Sequence, residues 1–204
     1  MPLSDYVRMP KPPARPKTMF LISAQLQTGK DTLANAIVAA HGVRKVALAD
    51  PVKEVAIAMI GMPSAVAYGG EAERHAWSAY GKDARQWLQW IGTELGRKID
   101  ENIWIHRLLE RVSTTAADII VVSDLRFTNE ILVWPRDESL KPYFKFVTIR
   151  LKRPGTENSD PHPSEAEQLS IPDSEFSEVI INDKEPKDLE AHGKRLVSKW
   201  APRY

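Results

Sequence analysis

The sequence predicts a three-layer α/β domain built on a five-stranded parallel sheet, and three observations carry that expectation. Five short apolar stretches alternate for the most part with helical patterns. The first of them, Met19 to Ser23, has no polar alternation, as a strand covered on both faces requires. A Gly-Lys pair follows it and leads into apolar residues at helical spacing, so the chain reads strand, tight loop, helix.

Taken in order, residues 1–18 carry Pro2, Pro10, Pro12, Pro13 and Pro16 among basic residues, which predicts a flexible, extended arm outside the fold. After the strand at Met19 to Ser23, the first helix runs from Leu33 to Ala40. A second strand, Lys45 to Ala49, ends at Asp50. Pro51 suits the first position of the next helix, Val52 to Ile60, which Gly61 and Pro63 stop. Tyr68-Gly69-Gly70 and Tyr80-Gly81 mark turns around a short polar helical stretch. A longer helix from Asp83 through Arg97 sets Trp87, Trp90, Ile91 and Leu95 on one stripe and Arg85 with Gln89 on another. Trp87 and Trp90 are expected to pack in the core, with base stacking as the alternative. A helix from Glu101 to about Val112 leads to Asp118–Asp124, the most apolar strand, with its acidic end at the carboxyl terminus. Phe146 to Arg150 and Glu178 to Asp183 supply the last strands, and Pro186 to Trp200 the closing helix. The stretch from Arg153 to Ser174 is too long for a minimal connection and is expected to be a mobile lid or a disordered insertion. The expected bounds are 1–18 for the arm and 19–204 for the domain, with an insertion at 51–100 and a lid at 151–175.

Composition narrows the function. With 204 residues the chain holds one ordinary domain. Its 28 Lys and Arg nearly balance its 27 Asp and Glu, so a surface that is all nucleic-acid platform is not expected. The absence of cysteine excludes disulfides, thiol chemistry and cysteine-bound zinc. No apolar run reaches the 18 or so residues that cross a bilayer, so a cytoplasmic protein without membrane partners is expected.

The loop between the first strand and helix, Ala24 to Thr32, contains Gln27, Thr28, Gly29, Lys30, Asp31 and Thr32. It fits the phosphate-binding frame of a glycine, four residues, Gly-Lys and a hydroxyl, with Ala24 in the first glycine's place and Asp31 where the hydroxyl is usual. Gly29 would turn backbone amides inward, Lys30 would meet the β- and γ-phosphates, and the helix terminus would add positive potential. Asp31, through magnesium or its water, and the Thr32 hydroxyl are the expected metal ligands. Such a loop implies nucleotide binding and leaves open whether water or another acceptor is attacked.

In a parallel sheet ligands collect at the carboxyl ends of the strands, so Asp50, Asp124 and this loop should converge. Arg126, just after Asp124, can clamp a phosphate in a fork, while Asp124 can hold a sugar hydroxyl or a magnesium water. The insertion offers Lys53, with Arg85 as an acceptor-phosphate clamp and Gln89, one turn on, for a base edge. Arg150, Lys152 and Arg153 close the fourth strand, where they could neutralise a transferring phosphoryl group. Asp160, His162, Ser164, Glu165 and Glu167 contain one histidine among acids and lack a transition-metal ligand set. They are expected to cap the lid or join a polar network beside magnesium.

Taken in order, the loop ending Gly29-Lys30-Asp31-Thr32, the stretches Ala49–Glu54 and Arg85–Glu94, Ser123–Glu130, His162–Glu165 and the strand ending Asn182-Asp183 resemble the phage-type deoxynucleoside monophosphate kinases, relatives of the adenylate kinase group. The resemblance extends from Met19 to about Leu196. It implies a P-loop nucleoside monophosphate kinase fold with a monophosphate-binding insertion and a lid, and ATP-dependent transfer to a deoxynucleoside monophosphate with Mg²⁺ as cofactor. It implies Lys30, Arg126, Arg150 and Arg153 as electrostatic catalysts and Asp50, Lys53, Arg85, Gln89, Asp124 and Arg126 around the acceptor. Asn182 and Asp183 would border the donor adenine. No nucleic-acid partner is expected, and homodimerisation stays open. Another small-molecule kinase of this architecture, or a non-catalytic ATP-binding accessory protein, is the alternative.

Overall fold

The computed structural model describes residues 3, 7, 9–25, 27–39, 42–156 and 163–201. The strands are β1 (Lys17–Ala24), β2 (Val43–Val46), β3 (Ser78–Ala79), β4 (Lys82–Asp83), β5 (Ile119–Leu125), β6 (Phe144–Lys152) and β7 (Glu178–Ile181). The helices are α1 (Lys30–Val38), α2 (Ala49–Ile60), α3 (Ser64–Ala67), α4 (Glu71–Ala76), α5 (Ala84–Gln89), α6 (Arg97–Ile99), α7 (Ile103–Ser113), α8 (Trp134–Arg136), α9 (Pro163–Ser170) and α10 (Pro186–Trp200). By compactness the chain divides into two units, one of Met1–Ala47 with Leu109–Tyr204 and one of Leu48–Leu108. The second is wider at both ends than the insertion expected at 51–100.

The first unit holds the sheet. Its strand order is β2-β5-β1-β6-β7 and every neighbouring pair is parallel, as the sequence predicts. β1 is central, and its apolar run explains why: Met19, Phe20, Leu21 and Ile22 are all buried, two on each face. On one face Phe20, Ile22, Val121, Val147 and Ile149 join Leu33 and Ile37 of α1 and Leu189 and Leu196 of α10 in one core. Alternation turns Phe146 to the other face, where the buried Trp134 packs edge-on against it with ring centres 5.6 Å apart. Helical chain therefore covers both faces, which gives three layers.

Several elements differ from expectation for local reasons. β2 stops at Val46, because Asp50 and Pro51 favour a helix start and draw Ala49 into α2. The turn at Tyr80-Gly81 closes a hairpin of β3 and β4, with both residues at positive φ (50° and 76°). The helix expected from Asp83 begins with a capping box, in which Asp83 and Gln86 each accept the other's backbone N–H. It then widens into a π-helical segment, Trp90–Gly96, before α6. There the indole N–H of Trp104 donates to the Gly92 carbonyl at 2.7 Å, and a Cβ on Gly96 would lie 2.2 Å from the Trp104 ring. Trp87 spends its indole N–H on the Ala79 carbonyl of the hairpin, and Trp90 is partly exposed. The stretch from Arg153 to Ser174 is not irregular throughout, since it contains α9. The arm is not wholly outside the fold either. Leu3 and Val7 are buried, and the Leu3 amide donates to Asp137 at 2.8 Å, while residues 10–16 are exposed. No helix among the described residues is long and apolar enough to cross a membrane.

Candidate functional site

The loop after β1 is shaped by two residues at positive φ, Gln27 at 61° and Gly29 at 93°. Gly29 is the residue before α1 and carries no side chain to cap it, so the first amides of the helix are left to a ligand or to water. The glycine is required twice over. Its φ lies in the left-handed region, and a Cβ there would stand 2.7 Å from Asn182 Nδ2. Asn182, at the end of β7, donates to the Thr28 carbonyl at 2.8 Å, while the buried Thr28 hydroxyl donates to the Gln25 carbonyl at 2.8 Å. Arg153 reaches the Gln27 carbonyl at 3.4 Å. The loop is thus braced within itself, from the end of β7 and from the root of the stretch after β6.

Lys30 opens α1, with its ammonium 4.0 Å from a carboxylate oxygen of Asp31. The other Asp31 oxygen accepts from Lys45 of β2 at 2.8 Å. Partial burial works to raise the Asp31 carboxyl, but the Lys45 hydrogen bond and the charges of Lys45 and Lys30 outweigh it and hold the group below its ordinary range. Asp31 is therefore ionised and shared between two lysines. Thr32 is half-buried in the same turn. Among the described residues no three His, Cys, Asp or Glu side chains cluster as a metal cage would need. The donor set fits a magnesium ion that keeps its waters and takes one or two protein ligands besides phosphate.

β5, the neighbour of β1, ends beside this loop; it carries the half-buried Asp124, and the half-buried Arg126 follows its last residue. Glu130, 5% exposed, turns back so that one carboxylate oxygen accepts the amides of Arg126 and Phe127 at 2.8 and 3.1 Å. The Thr128 amide donates to Glu167 of α9 at 2.7 Å. Gln168, also on α9, donates to Ser23 Oγ at 2.8 Å and to the Leu125 carbonyl at 3.0 Å.

Arg150 and Arg153 part ways. Arg153 lies against the loop between β1 and α1. Arg150 is 7% exposed, and its guanidinium donates to the carbonyls of Ile171 and Gln168 at 2.5 and 2.7 Å and to Asp173 at 2.8 Å. It also stacks over the Phe176 ring at 4.3 Å. A cation on the carbonyls at a helix end completes the last turn of α9. From the sequence Arg150, at the end of the fourth strand, is expected to neutralise a transferring phosphoryl group; the geometry holds its guanidinium inside the fold.

In the second unit Asp50 and Lys53, three apart on α2, form an ion pair at 3.7 Å, and the Lys53 ammonium lies 4.7 Å from the centre of the Tyr68 ring. Arg85 is exposed and Gln89 half-buried, one turn apart on α5. Asn182 and Asp183 line a recess of about 50 Å³ with Ile181, Asp188, Leu189 and His192, beside the loop between β1 and α1. Burial, with the charges of Arg195 and Lys184, pushes His192 below its usual range, so the ring is neutral near pH 7. Leu26, Asp160 and His162 lie outside the described residues. Sequence reasoning missed Lys45 and Gln168. The one available signal was Lys45 at the edge of a strand predicted parallel to the first; nothing local marks Gln168.

No protein-family model matches the chain. A protein of Acanthamoeba polyphaga mimivirus, provisionally named a deoxynucleotide monophosphate kinase, is 28% identical over 173 residues, covering 77% of this chain and 84% of that protein. The deoxynucleoside-5′-monophosphate kinase of Escherichia phage T5 is 43% identical over 47 residues, 22% of this chain and 19% of that one. Among solved structures, an unliganded sugar kinase from Janibacter sp. HTCC2649 aligns with a TM-score of 0.42 at 14% identity, over 92% of this chain and 96% of that one. A provisionally named kinase from Chloroflexus aurantiacus aligns with 0.46 at 12%, over 93% and 100%. The resemblance read from the ordered motifs is borne out by these curated relatives, which carry the names of deoxynucleotide and deoxynucleoside monophosphate kinases.

Proposed function

We propose that the chain transfers the γ-phosphoryl group of ATP to a deoxynucleoside monophosphate, giving ADP and a deoxynucleoside diphosphate. The observation that carries this reading is the left-handed turn at Gly29, which opens α1 with uncapped amides and Lys30 at the carboxyl end of the central strand. Similarity to the mimivirus protein over most of the chain supports it and suggests the acceptor class. An oxygen of the acceptor phosphate attacks the γ-phosphorus, a new P–O bond forms in line with the breaking β–γ bridge, and ADP leaves with the electron pair. Because the acceptor is already anionic, positioning and charge neutralisation matter more than a base. Lys30 balances charge on the β- and γ-phosphates, and Arg153 and Arg126 approach the transferring group from the two neighbouring loops. Asp124 orients the acceptor, and Asp50, Lys53, Arg85 and Gln89 of the insertion supply its phosphate and base contacts. Asn182 and Asp183 border the donor base. Arg150 serves as an anchor for α9 rather than as a phosphate ligand. Magnesium, arriving with ATP, would be held by the Thr32 hydroxyl and, through water, by Asp31; it supplies charge neutralisation on the triphosphate.

The test is coupled ADP release from Mg·ATP with dTMP, dGMP, dCMP, dAMP and their ribose analogues. Release that depends on a monophosphate supports the reading. ATP binding without release on any of them would assign the chain to non-catalytic nucleotide binding instead.

A further inference from the structure

Gln168 is a buried polar side chain to which the proposed chemistry gives no task. It is 3% exposed, and its amide nitrogen reaches Ser23 and the Leu125 carbonyl while its amide oxygen meets no hydrogen-bond partner among the described residues. The two residues it joins are well placed. Ser23 precedes the last residue of β1, from which the loop to Lys30 departs, and Leu125 is the last residue of β5, directly before Arg126. They are register partners, and the pairing of β1 with β5 is irregular between Leu21 and Ser23. One amide therefore bridges the two central strands where their own ladder falters and where both phosphate-facing loops begin. The helix that carries it is fixed by Arg150, the β6 register partner of Ser23, on the carbonyls of Gln168 and Ile171, and by Glu167, which accepts from the Thr128 amide just after β5. A buried acceptor left unpaired costs stability, so glutamine is not the side chain that stability alone would place here. What it supplies is a fixed distance.

We propose that Gln168 is a positioning residue for phosphoryl transfer, setting the separation of the carboxyl ends of β1 and β5 and so of the loops that bear Lys30 and Arg126. The inference rests on the kinase reading above. The full chain is compared with Gln168→Met, Ser23→Ala and the double variant, each assayed at a temperature where circular dichroism shows it folded. Gln168→Met should lower kcat about tenfold, since small misplacements are costly in transfer chemistry. The double variant should be no slower than Gln168→Met, because both changes remove the same bridge. A folded Gln168→Met with wild-type kcat and KM, or additive losses, would overturn the proposal. Should that variant fail to fold, Gln168→Glu keeps the shape and regains an O–H donor when protonated. Its kcat relative to wild type should rise as pH falls, and a flat ratio would overturn the proposal. A wild-type chain with no transfer to any monophosphate sinks the kinase reading alone. Amide exchange in the ligand-free protein then decides the bridge: faster exchange in Gln168→Met at both 24–30 and 125–129 sustains it, and unchanged exchange at both defeats it.

Discussion

At Gly29 two constraints meet on one residue, a positive φ and a 2.7 Å approach by Asn182. Gly29→Ala should therefore cost about 1–3 kcal/mol in urea unfolding and weaken Mg·ATP binding as well, because the strained loop is the one that would hold phosphate. Lys30 stands out in the sequence because a cation at the head of a helix opposes the helix dipole unless an anion sits there. Lys30→Ala should lower turnover by at least about a hundredfold while the melting curve stays cooperative; unchanged turnover would remove it from the site. Asp31 shows the limit of local reading. A carboxylate beside a phosphate loop suggests a metal ligand, yet its closest partner is Lys45 of β2, a proximity that the packing of α1 beside that strand creates. Asp173 gives a pH test at the same scale. Hydrogen bonds from Lys152 and Arg150 hold its carboxyl below the ordinary range. A carboxyl depressed in the folded state takes up its proton more readily when unfolded. Its contribution is thus complete above the unfolded value of about 4 and is lost as pH falls through the folded one. Asp173→Asn should lower the urea midpoint near pH 7, and the two midpoints should converge towards roughly pH 3. A constant difference at all pH values would count against this pairing.

Among the elements, the segment from α5 through α6 shows how tertiary contact rewrites a helical pattern. Periodicity identifies a helix there, and the Asp83–Gln86 capping box fixes where it starts. Periodicity does not reveal the π turns, which accompany the Trp104 hydrogen bond to Gly92 and the ring seated against Gly96. Gly96→Ala should be destabilising by about 1–3 kcal/mol in thermal or urea melting, through overpacking against the indole; a neutral result would mean the ring can shift freely. α9 is a second case. Its sequence is polar and follows a proline-rich stretch, so local signals favour a loop. Its helix is held in the fold by Arg150 and by the buried Gln168, both long-range contacts. Arg150→Met should expose carbonyls of that turn, cost about 1–3 kcal/mol and speed proteolysis after β6. Arg150→Lys should not restore the loss, because an ammonium cannot reproduce the guanidinium fork.

For the molecule as a whole, nucleotide binding and stability are linked. If the phosphate loop holds Mg·ATP in the folded state alone, ligand at about a hundred times its dissociation constant adds about 2.7 kcal/mol. For a chain of this size that shifts the thermal midpoint by roughly 5–10 °C, and Lys30→Ala should lose most of the shift. An equal shift in that variant would place the nucleotide elsewhere. Apolar runs and the Gly-Lys loop were enough to specify the parallel sheet, its first strand and the helix that follows it, because burial on both faces and an uncapped helix start each leave a local residue signature; the place of that strand at the centre of the sheet came only with folding. Other features came only with folding. They are the pairing of Asp31 with Lys45, the withdrawal of Arg150 into the end of α9, the seating of Leu3 and Val7, and the Gln168 bridge between β1 and β5. Each joins residues far apart in the chain by one or two polar or apolar contacts, and such contacts leave no periodicity, spacing or composition for a sequence to display.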